Sequence, residues 1–214
     1  LHDNAFGIYD GEKIFEGQEV VLETSTMSRT ELASFRYIHW LIQLMWGRQF
    51  YRGFLQLLQS KGIHPVDVVV EVYKTMRSDK GSIGSVYKAF TDDYALEQFS
   101  TVEELKNYWL QEEPFKRLKS GEYGKLNAVY GHKILLDHPN DFTNILIEMI
   151  ESRFPHLIDE NSKFLEQCRD VLRFDQENLI SLDEEFNLVS SKRVHFQYDV
   201  LSWRNSNQRD NLLL

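Results

Sequence analysis

Between Tyr37 and Trp46 only His39 and Gln43 are hydrophilic, and they fall into register with Arg36. Arg36, His39 and Gln43 stand at i, i+3 and i+7, which is one line along a 3.6-residue helix, and Arg29 lies seven residues further back. An amphipathic surface helix carries a broad polar face. A stripe this narrow predicts a helix near the centre, packed by neighbours around most of its circumference. Ser28, followed three residues on by Glu31, is the reciprocal capping pattern that would start it.

The same period continues downstream. "RQFYRGFLQLLQSKG" predicts a helix with Gln49, Arg52, Gln56 and Gln59 on its polar face and Tyr51, Phe54, Leu55 and Leu58 on its apolar one. Gly62 is its expected C-terminal cap. Gly47 either hinges the first two helices or lies inside one longer one. "HPVDVVVEVYKTM" holds valines that favour a strand, but Pro65 suits a first helical position, and helix is the reading. Further helices are expected over "GSIGSVYKAFTDDYALEQF", from the capping pair Ser100 and Glu103, and to about Leu136. Two more follow, from Phe142 to Ser152 behind an Asp141 cap and over "NSKFLEQCRDVLRFDQENLI". Pro114 should end or kink the helix that contains it.

The period becomes two at the chain ends. "GEKIFEGQEVVLETST" predicts one or two brief strands, and "EFNLVSSKRVHFQYDVLSW" predicts two strands around "SSK". The expected fold is mainly α. An extended segment over residues 1–28 precedes a multi-helix domain over 29–180, a β-hairpin over 181–204 packs on that domain, and 205–214 is a flexible tail.

Composition narrows the function. The 214 residues carry a formal charge of −9, which argues against a surface that tracks nucleic-acid phosphates. The longest nearly apolar run is about ten residues, against the ~20 of a membrane-spanning helix, and the polar start has no signal-peptide pattern. One cysteine, Cys168, excludes an internal disulfide or a cysteine-rich metal site and suits a reducing, cytoplasmic compartment. The absent initial methionine suggests a segment of a longer protein.

No catalytic motif stands out. His132 and His138 lack metal-ligand spacing, Cys168 sits on the apolar face of its helix, and "GSIGS" lacks the strand and spacing of a phosphate-binding loop. Adjacent acids such as Asp92 and Asp93 diverge on a helix and read as solvated surface. The best local candidate for a substrate or interdomain face is the line Arg36, His39 and Gln43, walled by Trp40, Trp46 and Tyr51. The plainer reading is a narrow wet side, or a buried arginine satisfied by a carboxylate.

The stretches "GEKIFEGQEVV", "TSTMS" before a helix, "FRYIHWLIQLMW" and the terminal "FQYDVLSW" together resemble the region that follows the barrel in cobalamin-binding radical S-adenosylmethionine proteins of bacterial surface-polysaccharide and natural-product pathways. They cover about a third of the chain, and none is a catalytic signature. The family's C-x-x-x-C-x-x-C cluster motif cannot occur with one cysteine, and its D-x-H-x-x-G cobalamin pattern is absent, so no catalytic, cofactor or metal residue carries over. The resemblance implies a C-terminal accessory domain that covers or shapes a substrate site. The 4Fe-4S cluster, S-adenosylmethionine and cobalamin would then belong to the rest of the parent chain, its barrel and cobalamin domains. The alternative is an independent helical module that docks a protein partner or a second copy of itself.

Overall fold

The computed structural model describes residues 6–15, 17, 19–120, 125–177 and 193–206. The fold is mainly α, with the described strands confined to a hairpin near the N-terminus. Strands β1 (Phe6–Tyr9) and β2 (Glu12–Phe15) pair antiparallel, with Tyr9 opposite Glu12. Asp10 and Gly11 both have positive φ, at 52° and 83°, as a two-residue turn matched to strand twist requires. Lys13 ties the hairpin to the helices. Its Nζ donates to the Leu110 carbonyl at 3.1 Å and to Glu112 at 2.6 Å, and sits over the Phe115 ring.

Helix α1 (Arg29–Ile42) begins at the expected capping box, and a π-helical turn (Gln43–Gly47) extends it to the expected end. A break at Arg48–Tyr51, with Gln49 at φ 63°, separates it from α2 (Arg52–Ser60), so Gly47 lies at a hinge. Gly62, at φ 83°, follows α2 as expected. Helix α3 (Pro65–Ser78) is capped by the His64 ring and has Pro65 in its first turn. Position-specific chemistry there outweighs the strand preference of its valines.

Helix α4 (Ser82–Leu96) packs on α3, and both meet α8 (Pro139–Arg153). Between them run α5 (Val102–Trp109), α6 (Glu112–Lys119) and α7 (Leu126–His132), the last continued by a second π-helical turn (Lys133–Asp137). The cap of α5 is Thr101 rather than Ser100. Thr101 Oγ1 accepts from Glu104 N–H, while the Glu104 carboxylate accepts from Ser100 N–H. Pro114 breaks nothing, because it lies in the first turn of α6, where its missing N–H has no helical partner to lose. Asp141 likewise lies within the first turn of α8, accepting from Ser82 Oγ, and His138 occupies the cap position. Helices α9 (Pro155–Glu160) and α10 (Phe164–Glu177) complete the main body.

Two expectations are corrected. The first concerns the C-terminal β-hairpin. Residues 181–192 lie outside the described residues, and 193–206 contain no strand but an extended run leading into α11 (Val200–Asn205). The two-residue alternation is real, since Tyr198 and Val200 are buried while Gln197 and Asp199 are exposed. It faces α10 instead of a sheet. The Asp170 carboxylate accepts from the N–H groups of Gln197 and Tyr198, at 2.6 and 2.9 Å, and Asp199 caps α11. Carboxylates thus take up the donors that a strand ladder would use.

The second correction concerns α1. The helix packs on α3, but Glu31, Phe35, His39 and Trp46 form an open flank, with Phe35 57% and Trp46 39% exposed. The better-enclosed helix is α3, which touches α1, α2, α4 and α8 and buries Val68, Val69, Val72, Tyr73 and Met76. Glu31, Phe35, His39 and Trp46 stand at i, i+4, i+8 and i+15, which helical winding places on one face, while Leu44 and Met45 in the π-helical turn stay buried.

Candidate ligand cleft

A cleft of about 430 Å³ opens where α1, α3 and α4 converge, a size typical of small-molecule sites. Helical spacing assembles it. Thr30, Ser34 and Tyr37 recur at four and three residues on α1, and Tyr73 and Arg77 stand four apart on α3. Tyr87, Thr91 and Tyr94 line α4 in the same way, while Val21 and Leu22 close one side from the segment before α1.

Four tyrosines meet here, with Tyr37 as the hub. Its ring lies edge-on to Tyr87 and Tyr94, with centroids 5.3 and 6.1 Å apart, and stacks toward Tyr73 at 6.4 Å. Such edge-to-face geometry fixes ring orientation as well as burying area. Tyr37 and Tyr73 are buried at the floor, Tyr87 and Tyr94 are half-buried, and Arg29 and Arg77 are exposed at the rim. Tyr73 Oη donates to Ser34 Oγ at 3.2 Å, and Arg29 donates to Gln98 Oε1 at 2.6 Å.

Burial pushes the Tyr37 phenol up to about 12, with the Tyr94 and Tyr73 phenols and Asp92 adding and Arg36 opposing. Burial, with the Tyr73 phenol beside it, also raises Tyr87. Both hydroxyls therefore remain protonated at neutral pH and are available as donors. No aspartate, glutamate, histidine or cysteine is among the lining residues. The cleft offers hydroxyls, an amide, guanidinium groups and aromatic rings, which is equipment for binding and orienting a ligand.

None of the six residues singled out in the sequence lines this cleft. Arg36 lies just behind its wall, the guanidinium 6.0 Å from the Tyr94 ring centroid, with Nε buried and unbonded among the described residues. Beyond it, burial raises Glu97 to about 7, with Asp93 adding and Arg36 opposing. His39 and Gln43 do meet, with Nε2 atoms 3.4 Å apart, and Asn127 donates to Gln43 Oε1. Their surroundings include a cavity of about 10 Å³ lined by Gln43, room for about one water.

The aromatic members scatter. Trp40 is core, stacked on Phe90 at 4.6 Å, and Tyr51 is fully buried against Phe142. Trp46 lies beneath the Arg52 guanidinium at 5.7 Å. The structure thus does not gather the six at one site. A different signal marked the cleft: Tyr87, Thr91 and Tyr94 form one polar-aromatic stripe along α4, legible at i, i+4 and i+7.

"GSIGS" has a structural role. Asp79 accepts from Gly81 and Gly84 N–H at 3.0 and 2.7 Å, so a carboxylate of the chain occupies the start of α4. Among the described residues no group of three or more His, Cys, Asp or Glu could hold a metal ion. Cys168 is buried, and burial pushes its thiol well above the usual range. This donor set does not fit an iron–sulfur cluster. No helix among the described residues is long and apolar enough to cross a membrane. Compared with protein-family models, curated proteins and solved structures, the chain has no match in any of the three.

Proposed function

We propose that the chain is a helical accessory domain of a cobalamin-binding radical S-adenosylmethionine enzyme, shaping the site in which a small substrate is held. The observation that supports this reading is where the resembling sequence lies. Val21 and Tyr37, from the resembling stretches "GEKIFEGQEVV" and "FRYIHWLIQLMW", line one side of the cleft, and Leu22, Arg29 and Ser34 join them from between those stretches. An independent interaction module would need no concave, hydroxyl-rich recess, whereas a substrate-enclosing domain does.

In this reading the cluster, S-adenosylmethionine and cobalamin belong to the barrel and cobalamin domains of a cytoplasmic parent chain. Those domains are the partner of the helices described above. The present residues supply enclosure and orientation. Tyr37, Tyr73, Tyr87 and Tyr94 form a rigid aromatic wall, and the two rim arginines face the approaching substrate.

The coding sequence upstream of Leu1 tests the proposal. An in-frame C-x-x-x-C-x-x-C motif within a few hundred codons is the expected finding. A start codon directly before Leu1 would overturn it.

A further inference from the structure

We infer that the tyrosine cleft binds a phosphorylated sugar or polyol, its phosphate held by Arg29 and Arg77 and its hydroxylated ring enclosed by the tyrosines. This builds on the preceding reading of the cleft as the ligand site and names the chemistry it selects.

Charge carries the argument first. The chain has 33 acidic against 24 basic side chains, yet its lining here includes two arginines and no carboxylate. Arg77 has neither an ion pair nor a hydrogen bond among the described residues, although it stands at the rim of a built recess. Among the described residues Arg29 bonds only the neutral Gln98. Of the nearby acids on α4, Asp93 accepts from Tyr130 Oη and Glu97 lies beside Arg36, while Asp92, whose charge raises the Tyr37 phenol, is exposed and outside the lining. Two guanidinium groups in a lining that holds no carboxylate suit a doubly charged anion. A phosphate monoester carries about −1.5 to −2 at neutral pH, and guanidinium groups bind its oxygens in bidentate fashion.

The remaining lining selects what the phosphate is attached to. Ser34 and Thr91 donate to the Thr30 and Lys88 carbonyls at 3.0 and 2.6 Å and so offer acceptor lone pairs, while Thr30, Gln98 and the tyrosine hydroxyls add donors and acceptors. That is the complement of a polyol, whose hydroxyls do both in turn. The tyrosine rings present apolar surface to the C–H face of a sugar ring. A long acyl chain would make no hydrogen bond with any of these groups, which disfavours a lipid tail inside the recess.

Isothermal titration calorimetry on the 214-residue chain decides the matter, with glucose 6-phosphate, glucose and inorganic phosphate as probes at matched ionic strength. Saturable binding of glucose 6-phosphate is expected, at least about tenfold tighter than that of glucose or phosphate, because both halves of the site are then used. Arg77→Gln and Arg29→Gln should each weaken it by about tenfold, as for loss of one charge-assisted contact, with the helical circular dichroism and its melting unchanged. Equal binding of glucose and glucose 6-phosphate overturns the inference. So does unaltered affinity in both arginine variants, or the absence of saturable heat at millimolar ligand in a chain that is helical by circular dichroism. A negative binding result alongside an upstream cluster motif would sink this inference and leave the accessory-domain reading standing.

Discussion

The Asp175 carboxylate occupies the space that a side chain on Gly53 would need. A Cβ at Gly53 would lie 2.7 Å from Asp175 Oδ1, and the opposite oxygen accepts from Phe54 N–H at 3.0 Å. Arg204 reaches the same carboxylate at 3.2 Å. One buried group thus ties the start of α2 to α10 and α11, and its charge favours the helix N-terminus.

Burial raises Asp175 to about 7 from an ordinary 3.8, although the N–H groups of Phe54 and Gly53 and the Arg204 charge all pull it down. The native state therefore holds this proton more tightly than the unfolded chain. Its contribution to stability is complete below about pH 3.8 and is lost as pH rises through about 7. Asp175→Asn keeps the shape and cannot ionise. The difference in urea midpoint between variant and wild type should shift in the variant's favour from pH 4 to pH 8. A constant difference would refute this assignment.

Gly53→Ala should destabilise by about 1–3 kcal/mol, since the new methyl must displace a packed carboxylate rather than fill space. The same change introduced into an Asp175→Ala background should be markedly milder. A double-mutant cycle in urea reads this as a coupling, and additive effects would show that the contact does not constrain the fold.

Gly84→Ala should act more severely than its helical position suggests. In an open helix alanine stabilises relative to glycine. Here the added Cβ would come within 2.0 Å of the Asp79 carbonyl oxygen, so the α3–α4 connection must open. A loss of about 2–3 kcal/mol is expected by chemical denaturation, and a neutral or stabilised variant would contradict the close approach.

The two tryptophans of the first helix should separate cleanly. Trp40 is 1% exposed and stacked on Phe90, so Trp40→Ala should cost about 3–5 kcal/mol. Trp46 is 39% exposed, and its alanine variant should lose about 1 kcal/mol or less. Thermal melts followed by circular dichroism rank them, and equal losses would place Trp46 in the core.

The local chemistry of the sequence determined where α1 and α3 begin and where α2 ends. The Ser28–Glu31 box, Pro65 and Gly62 act within a turn of their own position, and each performs the role its residue type dictates. The strands were expected from Gly11 onward, where β2 (Glu12–Phe15) does lie, whereas β1 (Phe6–Tyr9) precedes that stretch across the Asp10–Gly11 turn. Alternation at the C-terminus also reported a real extended run. Whether it became a strand depended on what stood beside it, and Asp170, 27 residues away from Gln197, took its donors.

Only the tertiary structure decided which apolar residues of α1 face inward, because hydrophobicity does not record direction. Phe35 and Trp40 are equally apolar on paper, and one faces out while the other stacks on Phe90. The cleft was hidden for the same reason. Tyr37, Tyr73, Tyr87 and Tyr94 are spread over three helices and become one wall when α1, α3 and α4 pack together. Periodicity acts through the next turn of the same helix, whereas a recess is made by side chains whose proximity depends on how separate helices cross.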